Sequence, residues 1–414
     1  MNSLFLDIFY RFFQAGAKQG FQILLLVYGT YFLGLDRFGE YLYISAGVVS
    51  FSILLDFGLS STIVKVIAED SNQKRKVIGT LIPFLIISIF TISILTFLIL
   101  YCFDFYSLFT SMLIGFMLFL MPICALFEGY NRGLLRFKSN AYFTFISSFL
   151  SLVLLIPIVN RFEVDGLLLV QVIYYSTLLI LLFSDVFRSG HYHDFKFIKD
   201  NRFIFDVLKY SFLIGIASIG QILYTKSDIL VLGYYDYYRE ISQYEVIDRF
   251  FMYLIIPVAL LGQVFAPRVV NFSRRKITRH HNVSLFLILV FSALLSLLVI
   301  FVYDNYNYKI SDSFDLGGFD LILFIFILAL PFKMFAVFQT QSYINPLGHA
   351  AIIAKTTVFF GFLNVILDLL LVAKYGFIGV FYSTAFVIIG NTVVQTIIFR
   401  AKIKNDRIKL SESH

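Results

Sequence analysis

Residues Phe212 to Gly233 read FLIGIASIGQILYTKSDILVLG, and the rest of the chain is organised around this stretch. It is long and apolar enough to cross a bilayer, which takes about 20 residues, yet Lys226 and Asp228 lie inside it. A charge near the centre of a membrane helix costs about 2.5 to 3.5 kcal/mol on insertion scales. Chains keep such charges where they face a protein interior or a watery cavity. This run therefore marks a candidate functional site.

Composition fixes the class. The 414 residues are 59% hydrophobic and 14% charged, with a mean hydropathy of +0.85, where soluble domains are about one-quarter charged. That much apolar surface implies a polytopic α-helical membrane protein. An outer-membrane barrel would show short alternating strands instead. No small-residue cleavage site follows the first apolar run, so no cleavable signal peptide is expected. Cys102 and Cys124 lie in or beside apolar runs and offer no disulfide framework.

Runs of about 20 apolar residues fall at 15–34, 40–64, 77–101, 106–128, 141–160, 164–186, 206–233, 240–266, 284–303, 317–342, 351–373 and 377–399, predicting twelve spans. Basic residues set the orientation. With the N-terminus in the cytoplasm, Lys74, Arg75 and Lys76, then Arg274, Arg275, Lys276 and Arg279, then Arg400, Lys402, Lys404, Arg407 and Lys409 all fall on the inner side. The outer connections carry little beyond Arg37, Arg161, Arg239, Lys309 and Lys374. Both termini are expected to be cytoplasmic. The net charge of +7 and pI of about 9.1 are then topological charge, and no nucleic-acid partner is needed to explain them. Some attraction to anionic inner-leaflet lipids is expected as well.

The longest cytoplasmic connector separates six spans from six. The expected organisation is an N-terminal lobe at 1–187, a polar, partly amphipathic linker at 188–205, a C-terminal lobe at 206–400 and a basic tail at 401–414. The longest outer connection, 304–316, is short and polar, so no soluble domain stands on either side. The halves look duplicated. A shift of 199 sets Asp7 on Asp206, Gly16 on Gly215 and Gln22 on Gln221, and a shift of 213 sets Arg161-Phe162 on Lys374-Tyr375 and Gly166 on Gly379. Six spans per half give repeats of like orientation. Two pseudo-symmetric six-helix lobes around a central cavity are the expected architecture.

Three stretches carry a family resemblance. LLDFGLSSTIVKVIAE (Leu54 to Glu69), TKSDILVLGYY (Thr225 to Tyr235) and FLNVILDLLLVAKYGFIGVFYSTAF (Phe362 to Phe386) resemble the polysaccharide-export branch of the multidrug/oligosaccharidyl-lipid/polysaccharide (MOP) exporter superfamily. The likeness extends over nearly the whole chain and is strongest to O-antigen (Wzx-type) flippases. It implies an all-α, MATE-like fold in the bacterial cytoplasmic membrane. It also implies a substrate, an undecaprenyl-pyrophosphate-linked glycan moved from inner to outer leaflet by alternating access. A polysaccharide polymerase and chain-length machinery are implied partners, beside the membrane lipids.

The residues can be set against that implication. A lipid pyrophosphate needs cations, and Lys226, Arg249 and Lys333 lie too deep for easy snorkelling to the surface. Lys18, Lys65 and Lys355 lie nearer the cytoplasmic side, where snorkelling is the ordinary explanation. Glu245 and Arg249 are four apart in the favourable order, so an internal ion pair competes evenly with a substrate role. Lys226 and Asp228, two apart, need partners elsewhere, and Asp248 is a candidate partner for Lys226. Asp228, Asp56 and Asp368 are buried acids able to couple transport to an H+ or Na+ gradient, although Asp56, beside Gly58, is as readily a structural lock. Gln221, Tyr224 and Thr225 share a helix face with Asp228, and Gln22 is the repeat partner of Gln221. For these, gluing helices together is the more ordinary role than binding sugar hydroxyls.

Other constellations are weaker. His191 with His193, and His280 with His281, sit in expected inner loops without acidic or Cys companions, so no metal site or cofactor is expected. No Gly-rich phosphate loop points to ATP hydrolysis, and no large outer loop holds the catalytic residues of a polymerase or ligase, so the chain is not expected to be an enzyme. A multidrug or cation antiporter of the same superfamily is the main rival, and an acid-dominated cavity would suit it better than these cations. A lipid II-type flippase commonly has two further helices.

Overall fold

A backbone in hydrocarbon must satisfy its own N–H and C=O groups, so apolar runs of this length fold as helices. The computed structural model describes residues 2–69, 74–188, 200–269, 274–314 and 319–411, and every regular element among them is helical. The first half comprises α1 (Asn2–Asp56), α2 (Leu59–Glu69), α3 (Lys74–Lys76), α4 (Ile82–Cys102), α5 (Leu108–Gly133) and α6 (Phe137–Arg188). The second comprises α7 (Asn201–Tyr234), α8 (Tyr238–Val269), α9 (Arg274–Phe314), α10 (Phe319–Gln339), α11 (Ala350–Tyr375) and α12 (Ile378–Ser411). A π-helical turn, Val77–Leu81, joins α3 to α4, and another, Thr340–Ile344, follows α10.

Among the described residues, nine helices are long and apolar enough to cross a membrane. Two of these are of double length, Leu6–Ile67 with 62 residues and Phe137–Val186 with 50. Each breaks where the sequence sets a boundary. In α1 the break is Gly34 (φ 74), and in α6 it is Glu163 (φ 51). The expected second span also turns at Phe57 and Gly58, both at positive φ. The expected eighth span, 240–266, is helical throughout within α8. The protein is thus a multi-pass α-helical membrane protein, although the expected count of twelve spans is not reproduced exactly among the described residues. Two expected connections are helical instead, because α9 continues to Phe314 and α12 to Ser411. Of the linker, 189–199 lies outside the described residues, and His191 and His193 with it.

The fold separates into two units, Met1–Ile219 and Gly220–His414. The division falls inside α7, past the linker at 188–205, because the first half of α7 packs on unit 1. A side chain on Gly215 would overlap the Phe57 ring, Ile214 closes on Gly58, and the Lys65 ammonium sits 3.7 Å over the Tyr210 ring. Within unit 1, α5 packs against α1, α2, α4 and α6, and α1 runs along α6. Within unit 2, α10 packs against α8, α9 and α12, and α11 pairs with α12.

The duplication is visible in the backbone. Under the shift of 213, the start of α6 at Phe137 falls on the start of α11 at Ala350. Leu135 (φ 59) falls on Gly348 (φ 76), and Glu163 (φ 51) on Gly376 (φ 64). Gly166 closes on the backbone of Ile158 and Gly379 on that of Leu371, residues that are themselves 213 apart. In each unit a helix reverses at a left-handed residue, and the returning helix passes the preceding backbone too closely for a Cβ.

Candidate functional site

Each unit holds a cavity. The one in unit 2 encloses about 440 Å³ and is lined by α7, α8, α10, α11 and α12. From α7 come Gln221, Tyr224, Thr225 and Asp228, spaced three, four and seven apart and so on one helical face, with Lys226 at its edge. The face read as helix glue therefore looks onto open space. Asp248, Lys333, Asn364, Thr384 and Asn391 complete much of the polar wall.

The deep cations divide into paired and unpaired. Arg249 donates to Glu245 from Nε at 2.7 Å and Nη2 at 2.6 Å, the internal pair that their spacing allowed. The Lys333 Nζ donates to Asp248 Oδ1 at 3.1 Å, so Asp248 serves α10 and not, as its position suggested, Lys226. Lys226 is left on the cavity wall with no ion pair or hydrogen bond among the described residues. Lys355 is exposed, and Lys65 rests on Tyr210 as described above.

Asp228 anchors a buried network. Its Oδ1 accepts from Asn364 Nδ2 at 2.8 Å, and its Oδ2 accepts from Thr384 Oγ1 at 3.0 Å and from the Tyr244 hydroxyl. Asn364 also donates to Ser227 Oγ at 2.7 Å and is held by Ser383, which donates to its Oδ1 at 3.1 Å. Asp368, one turn beyond Asn364, is fully buried beside Asp228, Ser227 and Ser383. Neither of its oxygens has a well-formed hydrogen bond among the described residues. Two carboxyl groups side by side in a buried site require a proton or another cation to be held together.

The unit 1 cavity encloses about 360 Å³. Lys18, Gln22, Ser52, Asp56, Glu128, Tyr174 and Tyr175 supply its polar lining. Asp56 accepts from Ser60 N at 3.0 Å and Ser60 Oγ at 2.9 Å, fastening the first turn of α2 after the Phe57–Gly58 bend. Its structural role is therefore explicit, and it faces the cavity besides. Glu128 accepts from Gln14 Nε2 at 3.2 Å. Lys18 is exposed to the cavity and forms no ion pair among the described residues.

The two cavities are built from equivalent positions. The shift of 199 carries Gln22, Val49 and Ile53 onto Gln221, Asp248 and Met252, and the shift of 213 carries Tyr174, Tyr175 and Leu178 onto Val387, Ile388 and Asn391. A shift of 212 takes Met121 and Glu128 onto Lys333 and Thr340. All of these line the cavity of their own unit. Sequence reasoning missed Glu128, Tyr175, Asn364 and Thr384. Asn364 had a signal, four residues before Asp368 and hence on the same face; Glu128 had one too, as an acid inside an apolar run. His280 and His281 lie within α9 and not in an inner loop. His281 is buried among the rings of Phe335, Tyr343 and Phe399. Among the described residues, no group of three His, Cys, Asp or Glu side chains is placed to hold a metal.

This fold is shared with solved transporters. An inward-facing multidrug-resistance MATE family transporter of the MOP superfamily superposes with a TM-score of 0.65 at 14% identity, covering 95% of each chain. The Vibrio cholerae MATE transporter VcmN in its bent form gives 0.61 at 14%, covering 98% of each. The lipid II flippase MurJ in an inward closed conformation gives 0.68 at 19%, covering 94% of this chain and 87% of that one. No curated protein matches the chain in sequence. The class is therefore a multi-pass membrane protein with the fold of the MOP-superfamily transporters. Within that class, residues 5–273 match the family described as polysaccharide biosynthesis protein, and the chain belongs to that family.

Proposed function

We propose that this protein is a flippase for an undecaprenyl-pyrophosphate-linked oligosaccharide, an O-antigen or related surface-polysaccharide repeat unit. It carries the substrate from the inner to the outer leaflet of the bacterial cytoplasmic membrane by alternating access of its two halves, with both termini cytoplasmic. It performs no covalent chemistry, and hands the flipped unit to the polymerase and chain-length machinery.

The observation that carries this reading is Lys226, an ammonium with no ion pair or hydrogen bond among the described residues, on the wall of a cavity in a bilayer-spanning helix. A cation within a membrane span and outside any ion pair is costly unless an anion visits it, and the pyrophosphate is that anion. Membership of a polysaccharide biosynthesis family supplies the chemical context. Lys333, already paired with Asp248, shapes the site beside it. Extrusion of cationic drugs through the unit 2 cavity would call for an uncompensated acid there, whereas Asp228 is engaged by Tyr244, Asn364 and Thr384 and Asp248 by Lys333.

Asp228 and Asp368 form the coupling site in this reading. Their proximity gives an H+ or Na+ a place to bind, and α7 carries both Asp228 and Lys226, so cation occupancy and phosphate binding act on one helix. The test is complementation of a strain lacking the gene, scored by surface polysaccharide. Lys226→Ala is expected to lose the polymer and Lys226→Arg to keep most of it. Full restoration by a normally expressed Lys226→Ala would remove the cationic mechanism.

A further inference from the structure

The repeat allows the two cavities to be compared position by position, and their chemistry differs. Where unit 2 has Lys333, Val387 and Ile388, unit 1 has Met121, Tyr174 and Tyr175, and where unit 2 has Thr340, unit 1 has Glu128. The ionisable lining of unit 1 is Lys18, Asp56 and Glu128, one positive and two negative charges, a net −1 that opposes a pyrophosphate. In unit 2, Lys226 and Lys333 balance Asp228 and Asp248. Both walls mix phenols, amides, carboxylates and ammonium groups, but only in unit 1 does the ionisable lining sum to a negative charge. Such a set can both donate to and accept from neutral hydroxyls.

That wall is also held in place. Gln14 bridges Glu128 and Thr144 at 3.2 and 3.3 Å and accepts from Arg11 at 3.2 Å, while Arg132 Nε and Asn140 Nδ2 donate to the Glu128 carbonyl at 3.3 and 3.1 Å. Tyr174 is buried and stacked on Phe21 with ring centroids 5.0 Å apart, fixing the adjacent Tyr175. Polar groups that served only to glue helices would use up their hydrogen bonds on each other, whereas Lys18 makes none among the described residues and faces open volume. A preorganised concave wall of about 360 Å³ is within the size range of small-ligand sites.

We propose that the unit 1 cavity reads the glycan. Tyr175, Glu128 and Lys18 hydrogen-bond sugar residues of the lipid-linked substrate and determine which repeat unit is accepted. This rests on the flippase reading above. The full-length protein in liposomes is assayed with two probes, the undecaprenyl-pyrophosphate oligosaccharide extracted from the producing cells and undecaprenyl pyrophosphate bearing a single N-acetylglucosamine. The quantity read is the ratio of the two fluxes. Tyr175→Phe, which removes one hydroxyl, and Glu128→Gln are each expected to lower the oligosaccharide-to-single-sugar ratio at least fivefold. Lys226→Ala is expected to depress both fluxes by a similar factor and leave the ratio within twofold. Thermal melting in detergent checks folding, and Tyr175→Phe decides the matter if Glu128→Gln does not fold. A ratio within twofold of wild type in folded Tyr175→Phe, or equal loss of both fluxes, overturns the assignment. Wild-type protein that moves neither probe overturns the flippase reading itself.

Discussion

Lys226 and Arg249 look alike in the sequence, each a cation deep in an apolar run, and the structure separates them. Arg249 is spent on Glu245, so its removal strands a buried carboxylate. Arg249→Ala is expected to destabilise by about 3 to 5 kcal/mol, and Arg249→Met with Glu245→Leu to restore most of that, read by melting in detergent. Lys226 has no such partner, so Lys226→Ala should leave the melting temperature nearly unchanged and act on substrate. A charge-assisted hydrogen bond is worth about 1.5 to 3 kcal/mol, which predicts roughly a 10- to 100-fold loss in substrate affinity. Spacing identified the Glu245–Arg249 pair because both lie on one helix. The partner of Lys333 was not legible, because nothing within α10 says that α8 will bring Asp248 to it. For the same reason Asn364 and Thr384, on α11 and α12, could not be joined to Asp228 on α7 before the helices were packed. Asp228→Asn and Asp368→Asn are each expected to make flux insensitive to an imposed ion gradient. Unchanged gradient dependence in both would take the carboxyl pair out of coupling.

At the level of the helix, the apolar runs made nearly every element legible, since hydrocarbon leaves the backbone no alternative. Less legible were the ends, where polar residues are equally at home in water as loop or helix, and so α9 and α12 outlast their expected spans. The duplicated hairpins give a sharper test. Glu163 occupies a left-handed conformation for which its repeat partner uses Gly376. Such strain costs about 1 to 3 kcal/mol, and its exposed ion pair with Arg37 returns at most about 1. Glu163→Gly is therefore expected to raise the melting temperature, and Gly379→Ala, which drives a Cβ into the Leu371 backbone, to cost about 1 to 3 kcal/mol. The start of α7 is tied by Asp200, which accepts from Lys76 Nζ at 2.9 Å and from Phe203 N at 3.0 Å. The Lys76 bond, with the Phe203 N–H, holds the Asp200 carboxyl below the usual range. A lowered pKa contributes above the ordinary value and is lost as pH falls through the lowered one. Hydrogen exchange in the first turn of α7 should thus be flat from neutral pH down to about 5 and accelerate, relative to the intrinsic rate, only below about 4.

Across the whole molecule, the duplication explains most of the functional arrangement. A cavity lined by the first, second, fourth and sixth spans of a half recurs in both units, with the fifth span added in unit 2 and with different charges. Unit 2 carries Lys226, Lys333 and the buried carboxyl pair, and unit 1 carries Tyr174, Tyr175 and Glu128. The sequence revealed the repeat through matched Gln and Gly and offered Gln22 and Gln221 as cavity candidates, with helix glue as their more ordinary role; each lines the cavity of its own unit. Which residues face open space depends on packing and not on periodicity alone. The central claim is that Lys226 serves a lipid-linked pyrophosphate. Its most direct test is translocation of the extracted undecaprenyl-pyrophosphate oligosaccharide by the full-length protein in liposomes, wild type against Lys226→Ala at matched folded protein. The account predicts rapid translocation by wild type and at least a tenfold loss in the variant. Equal rates in the two, or wild-type export of an organic cation with no movement of the glycolipid, would contradict it.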